Sequence, residues 1–276
     1  MKFACGECSV EVEARARPIT CDKCNCWNTF EEIEDASAMG IKFQAEPICI
    51  DDIESKEVPR YVTGMAPFDD VTGGGPVKGA VYLLAGEPGI GKSTLLWQVL
   101  KLLKVKTMYA SAEENAEQIK MTTNRVNVSG KHITFFNESN VERIIEYAKK
   151  LRIKVLVADS IQVMWTDACK SAVGSTSQVR DSGNAFVAFA KTKGITVILV
   201  GHVTKDETIA GPKTIQHMVD CPLFFSLDES NERVRILKAT KNRFGDTSVR
   251  GIFEMGPNGL IPYATRKHDQ VKLVAS

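Results

Sequence analysis

Long apolar runs and a strong net charge are both missing from this sequence. None of its 276 residues belongs to a run of about 18 apolar residues, the length that a transmembrane helix needs. The first residues, Met1 to Cys5, lack the apolar core of a secretory signal, so we expect a cytoplasmic protein without membrane contact. The net charge of +1 provides no global basic field, so any contact with nucleic acid must come from a local patch.

Cysteines are scarce outside the first 26 residues, where five of the eight lie. Without an export signal, this clustering favours metal binding over disulfides. Two pairs, Cys5 with Cys8 and Cys21 with Cys24, each enclose two residues, and twelve residues separate the pairs. Four thiolates so spaced predict a structural Zn²⁺ site that supplies the folding energy of a module too small to build a core. The alternative is a set of free or disulfide-linked cysteines, and Cys26 is a fifth thiol able to replace a ligand.

The chain shows three zones. Residues 1–30 hold the cysteine module, and residues 31–57 read as an acidic linker with nine carboxylates and two lysines. Four apolar residues in the linker are candidates for docking on another surface: Ile41, Phe43, Ile48 and Ile50. From residue 58 to 276, apolar runs alternate with helix-like segments, which is typical of an α/β domain.

The α/β domain is expected to contain a mostly parallel central sheet with antiparallel strands at its C-terminal end. The apolar runs predict core strands at 80–85, 107–111, 132–136, 155–158 and 195–200. Helices are expected at 92–103, 141–151 and 178–191. The antiparallel strands are expected at 223–227, 233–240 and 249–254.

A glycine-rich loop follows the first core strand and opens a helix. It matches the phosphate-loop pattern of P-loop NTPases without a gap: Gly86, Glu87, Pro88, Gly89, Ile90, Gly91, Lys92, Ser93 and Thr94. Its N–H groups and the helix N-terminus should hold the phosphates of ATP. Lys92 should contact the β- and γ-phosphates, and the Ser93 hydroxyl should ligate Mg²⁺. The alternative is a glycine-rich turn that binds nothing.

Acidic residues follow two other predicted strands. Asp159 comes directly after the strand at 155–158 and would hold the Mg²⁺ ion, although an aspartate there can also cap a helix. Glu113 and Glu114 lie just beyond the strand at 107–111, where one of them could polarise the attacking water. The alternative is a solvated acidic pair at a helix start, and spacing alone does not choose between the two.

These motifs together resemble the bacterial RadA (Sms) family, RecA-like and DnaB-related ATPases of DNA repair and branch migration. The similarity runs from about Cys5 to about Leu260. The matching stretches are residues 27–29, 73–75, 86–94, 200–205, 210–212, 217–220 and, above all, the hallmark pentapeptide Lys241-Asn242-Arg243-Phe244-Gly245. The resemblance implies a RecA-like ATPase core.

The resemblance also implies roles for single residues. Glu113 matches the catalytic glutamate, and Lys241 and Arg243 match residues that reach across a subunit interface to the neighbour's nucleotide, in the manner of an arginine finger. Without this resemblance, the sequence would indicate only that Lys241 and Arg243 are solvated basic residues at the end of a strand. His202 matches a sensor of the γ-phosphate, and the alternative is a structural histidine.

The family binds single-stranded DNA with loops that face the channel of a homohexameric ring. In this sequence the corresponding loops are 165–180 and 204–213. They offer Lys170, Gln178, Arg180, Lys205 and Lys213 as DNA contacts. The alternative for any one of these is an ordinary polar loop residue.

Two departures from the family pattern stand out. The chain ends at Ser276, where the family's Lon-protease-like C-terminal domain would begin, and Cys26 lies where no cysteine is expected. We expect a ring ATPase that uses ATP, Mg²⁺ and Zn²⁺ and translocates or remodels single-stranded DNA in recombination and repair. Its partner would be a recombinase or a replicative helicase. The alternatives are a nucleotide-gated mediator or helicase loader without unwinding, and a RecA-fold ATPase that acts on proteins.

Overall fold

The computed structural model describes residues 2–5, 10–14, 18–27, 30–33, 47–52, 57–202 and 214–267. The chain divides into two compact units, residues 1–46 and residues 47–276. Within the described residues, no helix is both long enough and apolar enough to cross a bilayer.

The first unit contains a small antiparallel sheet of β1 (Lys2–Cys5), β2 (Glu11–Glu13) and β3 (Phe30–Ile33), in the order β2-β1-β3. Cys5 ends β1, Cys21 directly precedes a turn at residues 22–24, and Cys24 is the last residue of that turn. Because β3 pairs with β1 as far as Ile33, this sheet reaches past residue 30. The zone boundaries at residues 30 and 57 stay predictions.

The second unit is built on a nine-stranded sheet in the order β12-β11-β10-β9-β4-β8-β7-β5-β6. The strands are β4 (Val81–Gly86), β5 (Thr107–Ser111), β6 (Ile133–Asn137), β7 (Val155–Asp159), β8 (Thr196–His202), β9 (Cys221–Asp228), β10 (Asn231–Ala239), β11 (Val249–Gly256) and β12 (Gly259–Lys267). Strands β9, β4, β8, β7, β5 and β6 run parallel, and β10 to β12 continue antiparallel. The expected fold class is confirmed.

Six helices accompany the sheet in the described part of this unit. They are α1 (Ala66–Val71), α2 (Lys92–Leu102), α3 (Ala116–Arg125), α4 (Val141–Lys150), α5 (Thr176–Lys193) and α6 (Thr214–Met218). Helices α2 and α3 pack in the core on one side of the sheet, and α4 and α5 pack in the core on the other. Since β4 is covered on both faces, all six of its residues are buried, as its continuous apolar run predicts.

Polar side chains cap the first turns of the helices that begin near the carboxyl edge of the sheet. Asn115 caps α3 in a reciprocal capping box with Gln118, and the side chain of Asn140 accepts from the Arg143 N–H at the start of α4. Ser175 caps α5 in the same way, and α5 ends at Gly194 in the left-handed region. These caps satisfy N–H groups that a helix leaves without internal partners.

Two glycines meet at the opposite, amino-terminal edge of the parallel strands. A Cβ atom on Gly73, whose φ is 77°, would lie 2.6 Å from the carbonyl oxygen of Phe244. A Cβ atom on Gly245 would lie 2.8 Å from Cα of Gly73. The loop after α1 and the pentapeptide 241–245 therefore pack backbone against backbone.

Candidate nucleotide-binding site

The loop from Gly86 to Gly91 joins the end of β4 to the start of α2. A Cβ on Gly86 would collide with the carbonyl oxygen of Phe225, so the neighbouring strand leaves room for glycine alone. Gly91 caps α2 with a φ of 108°, a conformation that glycine adopts without strain. The tight wrap directs the first N–H groups of α2 into the loop, which fits a phosphate cradle.

Lys92 lies over this cradle. Its Nζ donates to the carbonyl oxygens of Gly86 and Glu87, both at 2.9 Å, and lies 3.3 Å from Nδ1 of His202. Burial lowers the pKa of Lys92, and the nearby carboxylates Asp159 and Glu113 oppose that shift. A phosphate chain in the loop would supply the negative charge that the buried ammonium lacks.

Ser93 and Asp159 form the pair expected to hold Mg²⁺. The Ser93 hydroxyl donates to Oδ2 of Asp159 at 3.2 Å, and the buried hydroxyl of Tyr109 donates to the same oxygen. Burial raises the pKa of Asp159, and the hydrogen bond from Tyr109 opposes the shift. A hydroxyl beside a carboxylate is a donor set that suits Mg²⁺, so these two residues would hold the ion.

The two glutamates after β5 differ in their surroundings. Oε1 of Glu113 accepts from the Ser160 hydroxyl and lies 3.4 Å from Nε2 of His202. The hydrogen bond with His202 lowers the pKa of Glu113, whereas burial raises the pKa of Glu114, with Asp159 and Glu113 adding to that rise. Oε2 of Glu114 is buried without a partner among the described residues. Glu113 is therefore the more strongly ionised carboxylate of the two.

Lys241 and Arg243 lie away from this cluster. Nζ of Lys241 donates to the carbonyl oxygen of Val219 at 3.0 Å, and Arg243 lies 3.4 Å from Asp220 with 60% of its side chain exposed. The carboxylate of Asp220 also accepts from the N–H of Val81, which begins β4. Since Val81 and Gly86 are the two ends of β4, about 16 Å of strand separates Arg243 from its own phosphate loop. The structure does not bring these two cations into the site of their own chain.

Other contacts around the cradle are not evident from the sequence. Nε of Arg235 donates to the carbonyl oxygen of Ile90 at 3.1 Å, and Nη2 of Arg125 donates to Oγ1 of Thr94 at 3.2 Å. Gln98 of α2 makes two hydrogen bonds with the backbone of Leu260 in β12. Because these partners are between 31 and 162 residues apart, no local motif signals them.

The proposed DNA contacts have different outcomes. Lys170 and Arg180 are exposed, and Arg180 pairs with Asp181 at 3.1 Å. The prediction of Gln178 as a DNA contact is wrong. This residue lies in the first turn of α5, is 1% exposed, and its side-chain amide donates to the carbonyl oxygen of Thr166. Lys205 and Lys213 lie outside the described residues.

In the first unit, the thiols of Cys5, Cys21 and Cys24 lie within 4.8 Å of one another. The sulfur atoms of Cys5 and Cys24 are 3.6 Å apart, close to the ~3.8 Å that two thiolates on a tetrahedral Zn²⁺ would have. Cys8 lies outside the described residues, and Sγ of Cys26 lies 3.6 Å from the carbonyl oxygen of Cys24. Three of the four expected ligands are thus brought together in a geometry that fits zinc.

A phosphate loop between β4 and α2, beside a Ser–Asp pair on a mostly parallel sheet, defines a P-loop ATPase with a RecA-like fold. Two solved structures share this fold: the KaiC-like protein PH0186 from Pyrococcus horikoshii OT3 (TM-score 0.60, 22% identity, 75% of this chain and 100% of that one) and the RadB recombinase (TM-score 0.59, 19% identity, 74% and 100%). The chain belongs to the KaiC family of ATPases, whose model matches residues 61–140 and 121–264.

The resemblance to bacterial RadA is also confirmed. The chain is 37% identical to the DNA repair protein RadA of Escherichia coli (strain K12) over 272 residues. It is 40% identical to that of Bacillus subtilis (strain 168) over 271 residues. In both comparisons, 94% of this chain is covered, and the chain spans 58% of the length of the relative.

Proposed function

We propose that this chain is an ATP-hydrolysing ring ATPase of DNA recombination and repair that binds and remodels single-stranded DNA. The observation that carries the proposal is the split of the expected site between two edges of one sheet. Lys92, Ser93, Glu113 and Asp159 cluster at the carboxyl edge, and Lys241 and Arg243 lie at the other edge. The similarity to proteins named DNA repair protein RadA supports the biological setting.

In the proposed reaction, N–H groups at the start of α2 bind the phosphates. Lys92 exchanges its two loop carbonyls for phosphate oxygens, which hold its charge more strongly. Ser93 and Asp159 would hold Mg²⁺, and the ion would supply positive charge that neutralises the phosphates. Glu113 orients a water and accepts its proton, because its carboxylate is kept ionised by His202 and Ser160. His202 contacts both Lys92 and Glu113 and so links phosphate binding to the base.

A neighbouring copy supplies the remaining cations. Arg243 is 60% exposed on an edge that cannot reach its own loop, so its guanidinium is available to another chain. Cations on the γ-phosphate stabilise the charge that develops in phosphoryl transfer. Hydrolysis would then depend on assembly, as a closed ring requires.

The test is the steady-state rate of ATP hydrolysis with and without single-stranded DNA. We expect several-fold stimulation by DNA and loss of activity in both Lys92→Ala and Lys241→Ala. The matched control is Lys101→Ala, which changes an exposed lysine on the same helix as Lys92. Hydrolysis that is indifferent to DNA would reject the DNA-coupled function and favour a protein substrate. Stimulated hydrolysis without unwinding of forked DNA would favour a loader or mediator.

For DNA contact, Arg180→Ala should weaken binding of single-stranded DNA and flatten its dependence on salt, because one phosphate contact is lost. Lys193→Ala, at the other end of the same helix, is the control. An unchanged affinity and salt slope would remove Arg180 from the interface.

For the cysteine module, we propose that Zn²⁺ is structural. The wild type should contain one zinc per chain, and Cys21→Ser should lose it because Cys21 is fully buried among the other thiols. Cys169→Ser is the control outside this unit. Metal analysis of the purified variants decides, and retention of zinc by Cys21→Ser would contradict the ligand set.

A further inference from the structure

The carboxylate of Asp159 is held by two hydroxyl groups from two other elements of the fold. Asp159 is 5% exposed, and its Oδ2 accepts from the hydroxyl of Ser93 in α2 and from the hydroxyl of Tyr109 in β5. Buried polar groups need hydrogen-bond partners, so both donors stabilise the carboxylate. The proposed reaction uses Ser93 and Asp159 and gives Tyr109 no role.

The pairing of β5 with β7 determines which residue can reach Asp159 from the side. Ser111 is the register partner of Asp159, and Tyr109 lies two residues earlier on β5, so all three side chains share one face of the sheet. Aromatic side chains can span the diagonal between such positions, whereas a serine or threonine at residue 109 could not. The hydroxyl that meets Asp159 therefore requires a tyrosine here.

Trp97 fixes the ring of Tyr109. The two rings are stacked, with centroids 4.2 Å apart and an interplanar angle of 16°, and both residues are buried. Trp97 follows Ser93 by four residues on α2, so the two side chains lie on the same face of that helix. One contact to Asp159 is direct, from Ser93, and the other passes through Tyr109. Both begin at the helix that the phosphate loop opens.

The two donors meet at a single oxygen of the carboxylate. Oδ2 of Asp159 accepts both hydrogen bonds, and Oδ1 has no hydrogen bond among the described residues. With Oδ2 held from two elements, the carboxylate cannot rotate about its Cβ–Cγ bond without breaking a contact. The direction of Oδ1 is thereby set before any ion binds, which is how groups behind a metal ligand improve metal binding.

We propose that Tyr109 is a positioning residue for Mg²⁺: by donating to Oδ2, it holds the carboxylate of Asp159 in the orientation that binds the ion of the nucleotide complex. Tyr109 is 0% exposed, so it acts through Asp159 and not on the nucleotide or the water. The proposal rests on the proposed function, which assigns Ser93 and Asp159 to Mg²⁺.

The test is the Mg²⁺ dependence of nucleotide binding by the full chain. The probe is a fluorescent, non-hydrolysable ATP analogue, titrated with Mg²⁺ and, separately, in EDTA. Tyr109→Phe removes one oxygen and keeps the ring that stacks on Trp97. The Mg²⁺ concentration at half-maximal tightening should rise about tenfold, the usual effect of losing a group behind a metal ligand. Affinity in EDTA should stay unchanged, whereas a general structural defect would lower it as well.

Tyr82→Phe is the matched control. Tyr82 is 1% exposed on β4, and its hydroxyl accepts from the N–H of Val77 at 2.9 Å. Its removal leaves a buried N–H without an acceptor, so the variant should unfold at a lower temperature. Its Mg²⁺ midpoint should match the wild type, because this hydroxyl does not contact Asp159. The control thus separates loss of a buried hydroxyl from loss of the contact to the carboxylate.

A double variant tests whether Tyr109 acts through Asp159. Asp159→Asn should raise the Mg²⁺ midpoint, and Tyr109→Phe added to it should raise the midpoint no further. An additive rise, or a wild-type midpoint in Tyr109→Phe alone, would overturn the positioning role and leave the proposed function standing. If Mg²⁺ does not tighten binding by the wild type, the assignment of Ser93 and Asp159 to the ion is rejected, and the role of Tyr109 with it.

Discussion

His202 lies 3.3 Å from Lys92 and 3.4 Å from Glu113, the two residues that the proposed function assigns to the γ-phosphate and the attacking water. Its hydrogen bond is the main reason why the pKa of Glu113 is lowered, and burial opposes it. A lowered pKa means that the carboxylate stays ionised at pH values where an ordinary glutamate takes up a proton. The stabilisation from this contact is present above the unfolded pKa and is lost as the pH falls through the folded pKa.

His202→Asn should therefore move the acidic limb of the kcat profile to higher pH, because Glu113 then protonates earlier. His217→Asn, an exposed histidine on α6, is the control and should leave the profile unchanged. The measurement is the rate of ATP hydrolysis across the acidic range. An acidic limb at the same pH in both variants would mean that a different group acts as base.

The glycines of the phosphate loop are constrained for two different reasons, and substitutions can separate them. Gly86→Ala places a methyl group against the rigid carbonyl of Phe225 and should cost about 3 kcal/mol together with most of the ATP affinity. Gly89→Ala meets open space, and only its φ of 76° is unfavourable, for about 1 kcal/mol. Thermal unfolding and nucleotide titration would test this order. Equal losses would show that backbone conformation, not contact with β9, limits both positions.

At the scale of elements, Asp220 connects three parts of the fold. Its carboxylate, 2% exposed, accepts from the N–H of Val81 in β4 at 2.9 Å and from Nζ of Lys191 in α5 at 2.6 Å, and it lies 3.4 Å from Arg243. Removing the charge of one partner in such a buried cluster is destabilising, because the remaining groups lose the partner that compensates their burial.

Asp220→Asn should lower the free energy of unfolding by about 2–3 kcal/mol, because Lys191 loses its charged partner. It should also loosen the pentapeptide, so that hydrolysis in the assembled protein falls while ATP binding by the single chain persists. The control is Asp228→Asn, whose carboxylate bonds to Ser230 at the surface. Urea unfolding measures the free energy of unfolding. If Asp220→Asn loses no more of it than Asp228→Asn does, Asp220 does not anchor these elements.

The elements most easily predicted are those whose patterns are local. The strands β4, β5 and β7 are short buried runs, and α2 follows its glycine loop within one residue of expectation. Helix α1 gives no helical pattern in the sequence, because it has only six residues, one of them Pro67. Strand β12 is not evident from the sequence, because it begins at Gly259 and contains Pro262, two residues that strands disfavour. Its pairing with β11 overrides these weak local preferences.

The same division holds in the site. Lys92, Ser93 and Asp159 belong to motifs that contiguous residues define, so they could be placed from sequence. Tyr109 and Ser160 could not, because their hydroxyls meet Asp159 and Glu113 only after β5 and β7 pair. The sequence also predicts Gln178 as a DNA contact, because polar residues at helix starts are usually exposed. Its burial is evident only from the structure.

At the scale of the whole molecule, Arg243 lies away from the phosphate loop of its own chain, so in the proposed function a neighbouring copy would complete the active site. Lys92→Ala chains keep Lys241 and Arg243, and Lys241→Ala chains keep an intact phosphate loop. Mixing the two inactive variants should restore hydrolysis at about a quarter of the junctions, by random pairing around a closed ring. The control mixes Lys92→Ala with the double variant Lys92→Ala, Lys241→Ala. Activity of Lys241→Ala alone at the wild-type level would show that a neighbour does not act through Lys241.

The contact between Gly73 and Gly245 limits what any survey of variants can reveal. A side chain added at either glycine meets backbone, and the partner cannot become smaller to make room. No second substitution can therefore compensate for a change at either position. Both residues must remain glycine while the two loops stay packed. In a library that contains every substitution at every position, we expect no functional variant at either glycine. A search for positions that vary together would then overlook one of the tightest approaches in the fold, because two constant positions share no signal.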